Sequence, residues 1–184
     1  MAGARGKNTG KPASGERKAS KENLELRELM QQLPLWQRPG YLIRRLHQLH
    51  YALFFEELAG SDITPVQYGL MTILSTNPDA DQIAIANSLG IDRTNVADVL
   101  RRLSDAGLVE RRRSEKDRRA VISCLTAQGE DVLRQLYPGM LRAQERLLEC
   151  LEPDERDAFV ATLVKLLEAN NKFGRASLKI SRRP

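Results

Sequence analysis

With only two cysteines and two histidines in 184 residues, the chain has little from which to build a redox, metal or nucleophilic centre. Cys124 and Cys150 stand in apolar segments without a C-x-x-C spacing, so two reduced thiols are expected rather than a disulfide framework. His47 and His50 are spaced i, i+3, but no cysteine or third histidine lies nearby in sequence, so no metal site is expected. There is no glycine-rich phosphate loop and no G-x-S-x-G; neither an enzyme nor a cofactor is expected. No stretch approaches the roughly 20 apolar residues that span a bilayer. Residues 1–21, rich in Gly, Ser, Ala and Lys, hold no apolar run for a signal-peptide core and no amphipathic apolar face for a transit peptide. A cytoplasmic protein with no membrane partner is expected.

What the chain does have is charge, unevenly placed. Residues 1–21 carry six Lys/Arg and one acid, and residues 172–184 carry five Lys/Arg and no acid. The formal charge of +5 therefore belongs to the ends, because residues 22–171 hold 18 basic and 23 acidic side chains. The expected layout is a disordered basic tail over 1–21, one domain over 22–171 and a second basic tail over 172–184. Inside the acidic body, residues 109–119 (VERRRSEKDRR) still carry six basic against three acidic side chains. A cluster that local points to one polyanion-binding surface.

Apolar spacing predicts mostly helix. Leu24 to Leu33 is a short leucine-spaced arm that stops at Pro34, and Tyr41 to Leu58 carries Leu42, Leu46, Leu49, Leu53 and Phe54 at threes and fours. Thr64-Pro65-x-Gln67 opens another helix with a hydroxyl cap, a proline whose missing donor costs nothing, and a glutamine to complete a capping box. Ile83, Ile85, Ala86 and Leu89 mark a short helix ending at Gly90. Asp92 caps the next, whose apolar stripe is Val96, Val99, Leu100 and Leu103 and which ends at Gly107. Two short helices across a glycine turn form a helix-turn-helix pattern. Leu108 to Arg112 and Arg119 to Leu125 then read as two strands around a polar tip, a β-hairpin wing. Thr126 caps a long leucine-sided helix in which Pro138 predicts a kink, and Glu152-Pro153-Asp154-Glu155 opens the last helix. The expected fold is mainly α with a small β-hairpin wing.

In "DITPVQYGLMTIL", "IANSLGIDRTNVADVLRRLSDAGLVERRRSEKDRRAVISCLTAQGEDVL" and "LEPDERDAFVATLVKLL" the chain resembles the MarR family of winged-helix transcription regulators, over about residues 40–171. The resemblance implies a homodimer built from helices at about 22–60 and 127–171, with a winged helix-turn-helix at about 62–126 set on a pseudo-palindromic double-stranded DNA operator. It also implies a small-molecule effector that releases the DNA, hence a repressor. Arg93 to Ala106 matches the family's recognition helix. Opposite its apolar stripe lie Thr94, Asn95, Asp98 and Arg101, with Arg102 to one side and Arg93 at the start. Asp98 could accept a hydrogen bond from cytosine or hold Arg101 or Arg102. Asp117-x-Arg119 resembles the family's pair in which a carboxylate orients a guanidinium in the minor groove, and Arg111, Arg112, Arg113, Lys116 and Arg118 are then phosphate or groove contacts.

Effector candidates are Arg38, Tyr41, Arg44, Arg45, His47, His50, Tyr51 and Phe54 on the first long helix and its approach, with Tyr68 and Met71 on the second. Such stripes also serve as plain core. "RPGYLIRRLHQLHYALFFEEL" is similar to relatives that repress aromatic-acid catabolism and answer to a hydroxycinnamoyl-CoA, so an aromatic acid or its thioester, p-coumaroyl-CoA for instance, is the expected effector; Arg38, Arg44 and Arg45 would meet the CoA phosphates. Peroxide-sensing relatives carry a reactive cysteine near the start of the first long helix, where this chain has none. The competing expectation is a winged-helix module that binds protein, for which a cationic wing would have no use.

Overall fold

Local capping chemistry sets where the helices begin. The computed structural model describes the backbone of residues 14–21 and 121 and all atoms of residues 22–78, 80–113, 122–174, 176 and 178. The chain divides into two compact units, residues 1–47 and residues 48–184.

The first unit holds α1 (Ser14–Gln32), a 3-10 turn (Leu35–Gln37) and the start of α2 (Pro39–Glu57). α1 begins inside the segment expected to be a disordered tail. From Glu16 onward that segment consists mainly of strong helix formers, which composition alone merges with the glycine-rich residues ahead. Residues 1–13 lie outside the described part. At the turn, Arg38 Nε donates to the Leu33 carbonyl at 2.9 Å, and its guanidinium reaches Met30 Sδ at 3.9 Å.

The second unit continues with α3 (Pro65–Thr76), α4 (Gln82–Leu89), α5 (Arg93–Asp105), β1 (Val109–Arg113), β2 (Val121–Leu125), α6 (Ala127–Leu147), α7 (Pro153–Asn170) and a 3-10 turn (Asn171–Phe173). The Thr64 capping box forms, Gln67 N donating to Thr64 Oγ1 and Thr64 N to Gln67 Oε1. Asp81 and Asp92 each accept from the third residue of the helix they cap, at 2.7 and 2.9 Å. Gly90 and Gly107 take φ of +67° and +72°, which closes α4 and α5 with left-handed residues that a side chain would strain. α6 runs on through Pro138.

Phe54, Leu70, Met71, Leu74, Ile85, Val96, Leu100 and Leu103 are fully buried, one stripe from each of α2, α3, α4 and α5. α2 contributes Phe54, near its C-terminal end, to this core. Leu42 and Leu49, expected on its buried side, are about half exposed; helical spacing marks an apolar side but cannot say what covers it.

β1 and β2 pair antiparallel, with Val109 opposite Leu125 and Arg113 opposite Val121. The joint from β2 to α6 is tied to the α5–β1 turn. Thr126 N donates to the Leu108 carbonyl at 3.1 Å, Thr126 Oγ1 donates to the Gly107 carbonyl at 2.7 Å, and Gly129 N donates to Thr126 Oγ1 at 3.0 Å.

Beyond α7, the segment expected to be a free tail is partly built in. Asn171 binds the backbone of Leu178, and Ala176 packs against the core.

The end of α2 is held to α6 by ion pairs. Arg142 Nε and Arg146 Nη1 both donate to the Glu57 carboxylate at 2.7 Å, and Arg146 also reaches Glu56 at 3.0 Å. The Arg142 hydrogen bond first, then Arg146, lowers the Glu57 pKa below the ordinary carboxylate range. A group depressed in the folded state stabilises at pH above its unfolded value, about 4.3, and the contribution fades as pH falls through the lowered native value. Thermal melts at pH 7 and pH 4 should therefore show Glu57→Gln less stable than the wild type at pH 7 and the gap narrowing at pH 4; a gap constant with pH would sink this assignment.

Candidate nucleic-acid interface

α5 presents two unlike sides because its sequence repeats at the helical period. Val96, Leu100 and Leu103 are buried, while Arg93, Thr94, Asn95, Asp98, Arg101 and Arg102 are all exposed. The structure thus brings the expected base-reading residues together on one open face.

Two of them are already oriented by neighbouring carboxylates. Asn95 Nδ2 donates to Asp92 Oδ2 at 2.7 Å, while the other oxygen of Asp92 caps the Asn95 backbone. The N-cap therefore also aims the Asn95 side chain, a role the Asp92-x-x-Asn95 spacing could have signalled. Arg101 lies between Asp98 at 3.8 Å and Asp105 at 3.4 Å, all three side chains more than half exposed. Of the two readings of Asp98, pairing with Arg101 is present without DNA; Asp105 is a second partner that the sequence reading does not include. Such exposed pairs are worth little in stability and exchange readily for a phosphate or a base edge.

Beside the helix, β1 carries Arg111, Arg112 and Arg113, all exposed. Arg111 lines two cavities that flank the start and the middle of α5. One, of about 250 Å³, is formed with Ala80, Asp81, Gln82, Ile83, Arg93 and Ser123; the other, of about 420 Å³, with Ala97, Asp98, Arg101, Ser104 and Asp105. The first joins two guanidinium groups to the N-terminus of α4, which the Asp81 carboxylate already caps. Arg112 is turned differently, its Nε donating to the buried Cys124 Sγ at 2.9 Å. Cys124 lies diagonally across the ladder, two residues on from the Ile122 that faces Arg112, so the contact is not legible in the run of arginines. Lys116, Asp117, Arg118 and Arg119 lie outside the described residues.

The effector candidates fall in both units, and three of those in the second unit are core residues. Phe54, Tyr68 and Met71 are 2%, 8% and 0% exposed and belong to the packed core, with the Phe54 and Tyr68 rings edge-on at 6.0 Å. Burial raises the Tyr68 hydroxyl above the ordinary tyrosine range, so it stays neutral. These three fill space, as aromatic and Met side chains at helical spacing commonly do. His50 and Tyr51 are half-buried, edge-to-face at 5.8 Å. In the first unit, the Arg44 guanidinium lies 5.5 Å from the Tyr41 ring centroid, and Arg45 and His47 are exposed. Among the described residues, no group of three or more His, Cys, Asp or Glu could hold a metal ion, and no helix is long and apolar enough to cross a membrane.

Residues 63–121 match the family model described as "MarR family". The transcriptional regulator HosA of Escherichia coli O157:H7 is 30% identical over 125 residues, covering 68% of this chain and 91% of HosA. The PcaV transcriptional regulator from Streptomyces coelicolor, solved with its natural ligand, superposes with a TM-score of 0.68 at 32% identity over 74% of this chain and 96% of PcaV. The transcriptional repressor CouR bound to a 23-mer DNA duplex gives a TM-score of 0.66 at 34% identity over 72% of this chain and 94% of CouR; CouR has also been solved with p-coumaroyl-CoA. In the fold and sequence it shares with these regulators, the chain is a member of the MarR family of DNA-binding transcription regulators.

Proposed function

We propose that the chain is a homodimeric repressor that binds a pseudo-palindromic operator and is released by a small aromatic effector, an aromatic acid or its CoA thioester. The observation that carries the DNA part is the shared surface of α5 and β1. Thr94, Asn95 and Arg101 read base edges in the major groove; Arg93, Arg102, Arg111 and Arg113 meet backbone phosphates. Arg112, with Lys116, Asp117, Arg118 and Arg119 of the wing, extends to the minor groove, where Asp117 orients Arg119. Asp98 holds Arg101 until a base or phosphate takes its place.

A second copy of the chain is the proposed dimer partner because large apolar side chains lie open on the terminal helices. Leu24 and Leu29 on α1 and Leu33 just after it are at least half exposed, and Val160, Leu166 and Leu167 on α7 nearly or about half. A monomer exposing this much apolar surface in water would associate.

The effector assignment draws on the likeness to CouR, solved with p-coumaroyl-CoA. Arg38, Arg44 and Arg45 of the first unit, with Tyr41 and His47 nearby in sequence, would meet the phosphates of a thioester.

In an anisotropy titration on its operator, Arg101→Ala should weaken specific binding about 10- to 100-fold, the worth of one good base contact, and leave binding to scrambled DNA nearly unchanged. Equal losses on both DNAs would move Arg101 to the phosphate class. p-Coumaroyl-CoA should release the wild type, and Arg44→Gln/Arg45→Gln should blunt that release; a thioester without effect on the wild type would overturn the effector assignment while leaving DNA binding standing.

A further inference from the structure

Asn95 is held in a way that helix formation alone does not require. It is the third residue of α5, and Asp92 caps the helix ahead of it. Asp92 Oδ1 accepts from the Asn95 backbone N–H at 2.9 Å, which is the cap; Asp92 Oδ2 also accepts from Asn95 Nδ2 at 2.7 Å. An ionised carboxylate only accepts hydrogen bonds, so the amide has one favourable orientation. Turned over, it would set Asn95 Oδ1 against Asp92 Oδ2, two acceptors at hydrogen-bond distance. A side-chain amide has two donor hydrogens and an acceptor oxygen. Asp92 takes one donor, and the Asn95 side chain has no other partner among the described residues. Asn95 is exposed, so what stays open to a partner is one acceptor and one donor side by side.

We propose, resting on the DNA-binding reading of α5, that Asn95 selects adenine at one position of each operator half-site and that Asp92 is the positioning residue that sharpens the selection. On their major-groove edges adenine offers the N6 donor beside the N7 acceptor, guanine two acceptors, cytosine a donor, and thymine an acceptor beside a methyl group. Only adenine matches both open groups of Asn95: Oδ1 accepts from N6–H, and the remaining Nδ2–H donates to N7. Guanine in that place would set O6 against Oδ1. A loosely held amide could turn over and give guanine a hydrogen, but this one has Nδ2 tied to Asp92. The N-terminal turn of α5 is also the part of a recognition helix that meets base edges. Fixing the amide before DNA arrives reduces the entropy lost on binding. Asp92 is half-buried with both oxygens engaged by Asn95, which suits a group that positions rather than one that contacts a base.

The test uses the full-length protein and its operator, with each adenine replaced in turn, in both half-sites, by 7-deazaadenine, which has C–H in place of N7, or by unsubstituted purine, which lacks the 6-amino group. At the adenine that Asn95 reads, each replacement should weaken wild-type binding about tenfold. Asn95→Ala should bind the unmodified operator about 10- to 100-fold more weakly and be indifferent to both replacements at that adenine, the sign that amide and base form one contact. Asp92→Ser keeps a hydroxyl cap on α5. Its ratio of affinities for adenine and guanine at that position, which loss of folded protein does not alter, should fall at least several-fold. If Asn95→Ala loses as much as the wild type at every replaced adenine, the adenine assignment is overturned while the DNA reading stands. An unchanged adenine-to-guanine ratio in Asp92→Ser would overturn Asp92 as the positioning residue. A wild type that fails to distinguish the operator from scrambled DNA would instead remove the reading of α5 on which both depend.

Discussion

Replacing Gly129 with alanine should cost more than about 3 kcal/mol and lower Tm by roughly 6–12 °C or more. The added Cβ would lie 2.1 Å from the Leu108 carbonyl oxygen and 3.0 Å from its carbon, backbone atoms that no rotamer change can clear. Relief requires moving the first turn of α6 away from the α5–β1 turn, which stretches the hydrogen bonds of Thr126 to Gly107 and Leu108. The wing springs from this joint, so residual DNA binding should fall together with stability. Gly40→Ala is the control, because a Cβ there meets nothing within 4 Å and should leave Tm unchanged or slightly raised. A Gly129→Ala protein that melts within 2 °C of the wild type, a margin of about 1 kcal/mol at most, would show that the joint tolerates a side chain.

Leu166→Glu/Leu167→Glu should make the protein monomeric at micromolar concentration and weaken operator binding at least about 100-fold, the scale of avidity lost when two linked recognition helices become one. These neighbouring side chains are 49% and 52% exposed, so two carboxylates there disturb little within one chain. In a dimer they would place charge in an apolar interface, where desolvation is costly. Sedimentation and circular dichroism together decide the matter: a folded monomer with weak operator binding is the expected result, and a folded dimer would place the interface elsewhere.

Much of the fold is legible in the sequence because its signals are local. The Thr64 box, the Asp92 cap and the left-handed glycines 90 and 107 each depend on a few adjacent residues, and all appear in the structure. The exposed face of α5 is legible for the same reason, a period of 3.6 over 13 residues. Less is legible where an answer depends on distant chain. Phe54, Tyr68 and Met71 have the composition of a ligand pocket and the packing of a core. Nothing in the run of arginines shows that Arg112, alone of the three on β1, donates to the Cys124 sulfur, because that contact depends on the return strand. Nothing local marks Gly129 as indispensable, since the carbonyl it must clear belongs to Leu108 across the wing. Composition alone makes both ends tails, yet α1 starts at Ser14 and Asn171 clasps Leu178.

The central claim is sequence-specific DNA binding through α5 and the wing. It is tested most directly by fluorescence anisotropy of the purified protein on the DNA upstream of its own gene, against a scrambled duplex, at two salt concentrations. The account predicts nanomolar binding that weakens steeply with salt and exceeds binding to the scrambled duplex at least about 1,000-fold at physiological salt. Equal affinity for the two duplexes, or binding indifferent to salt, would contradict it.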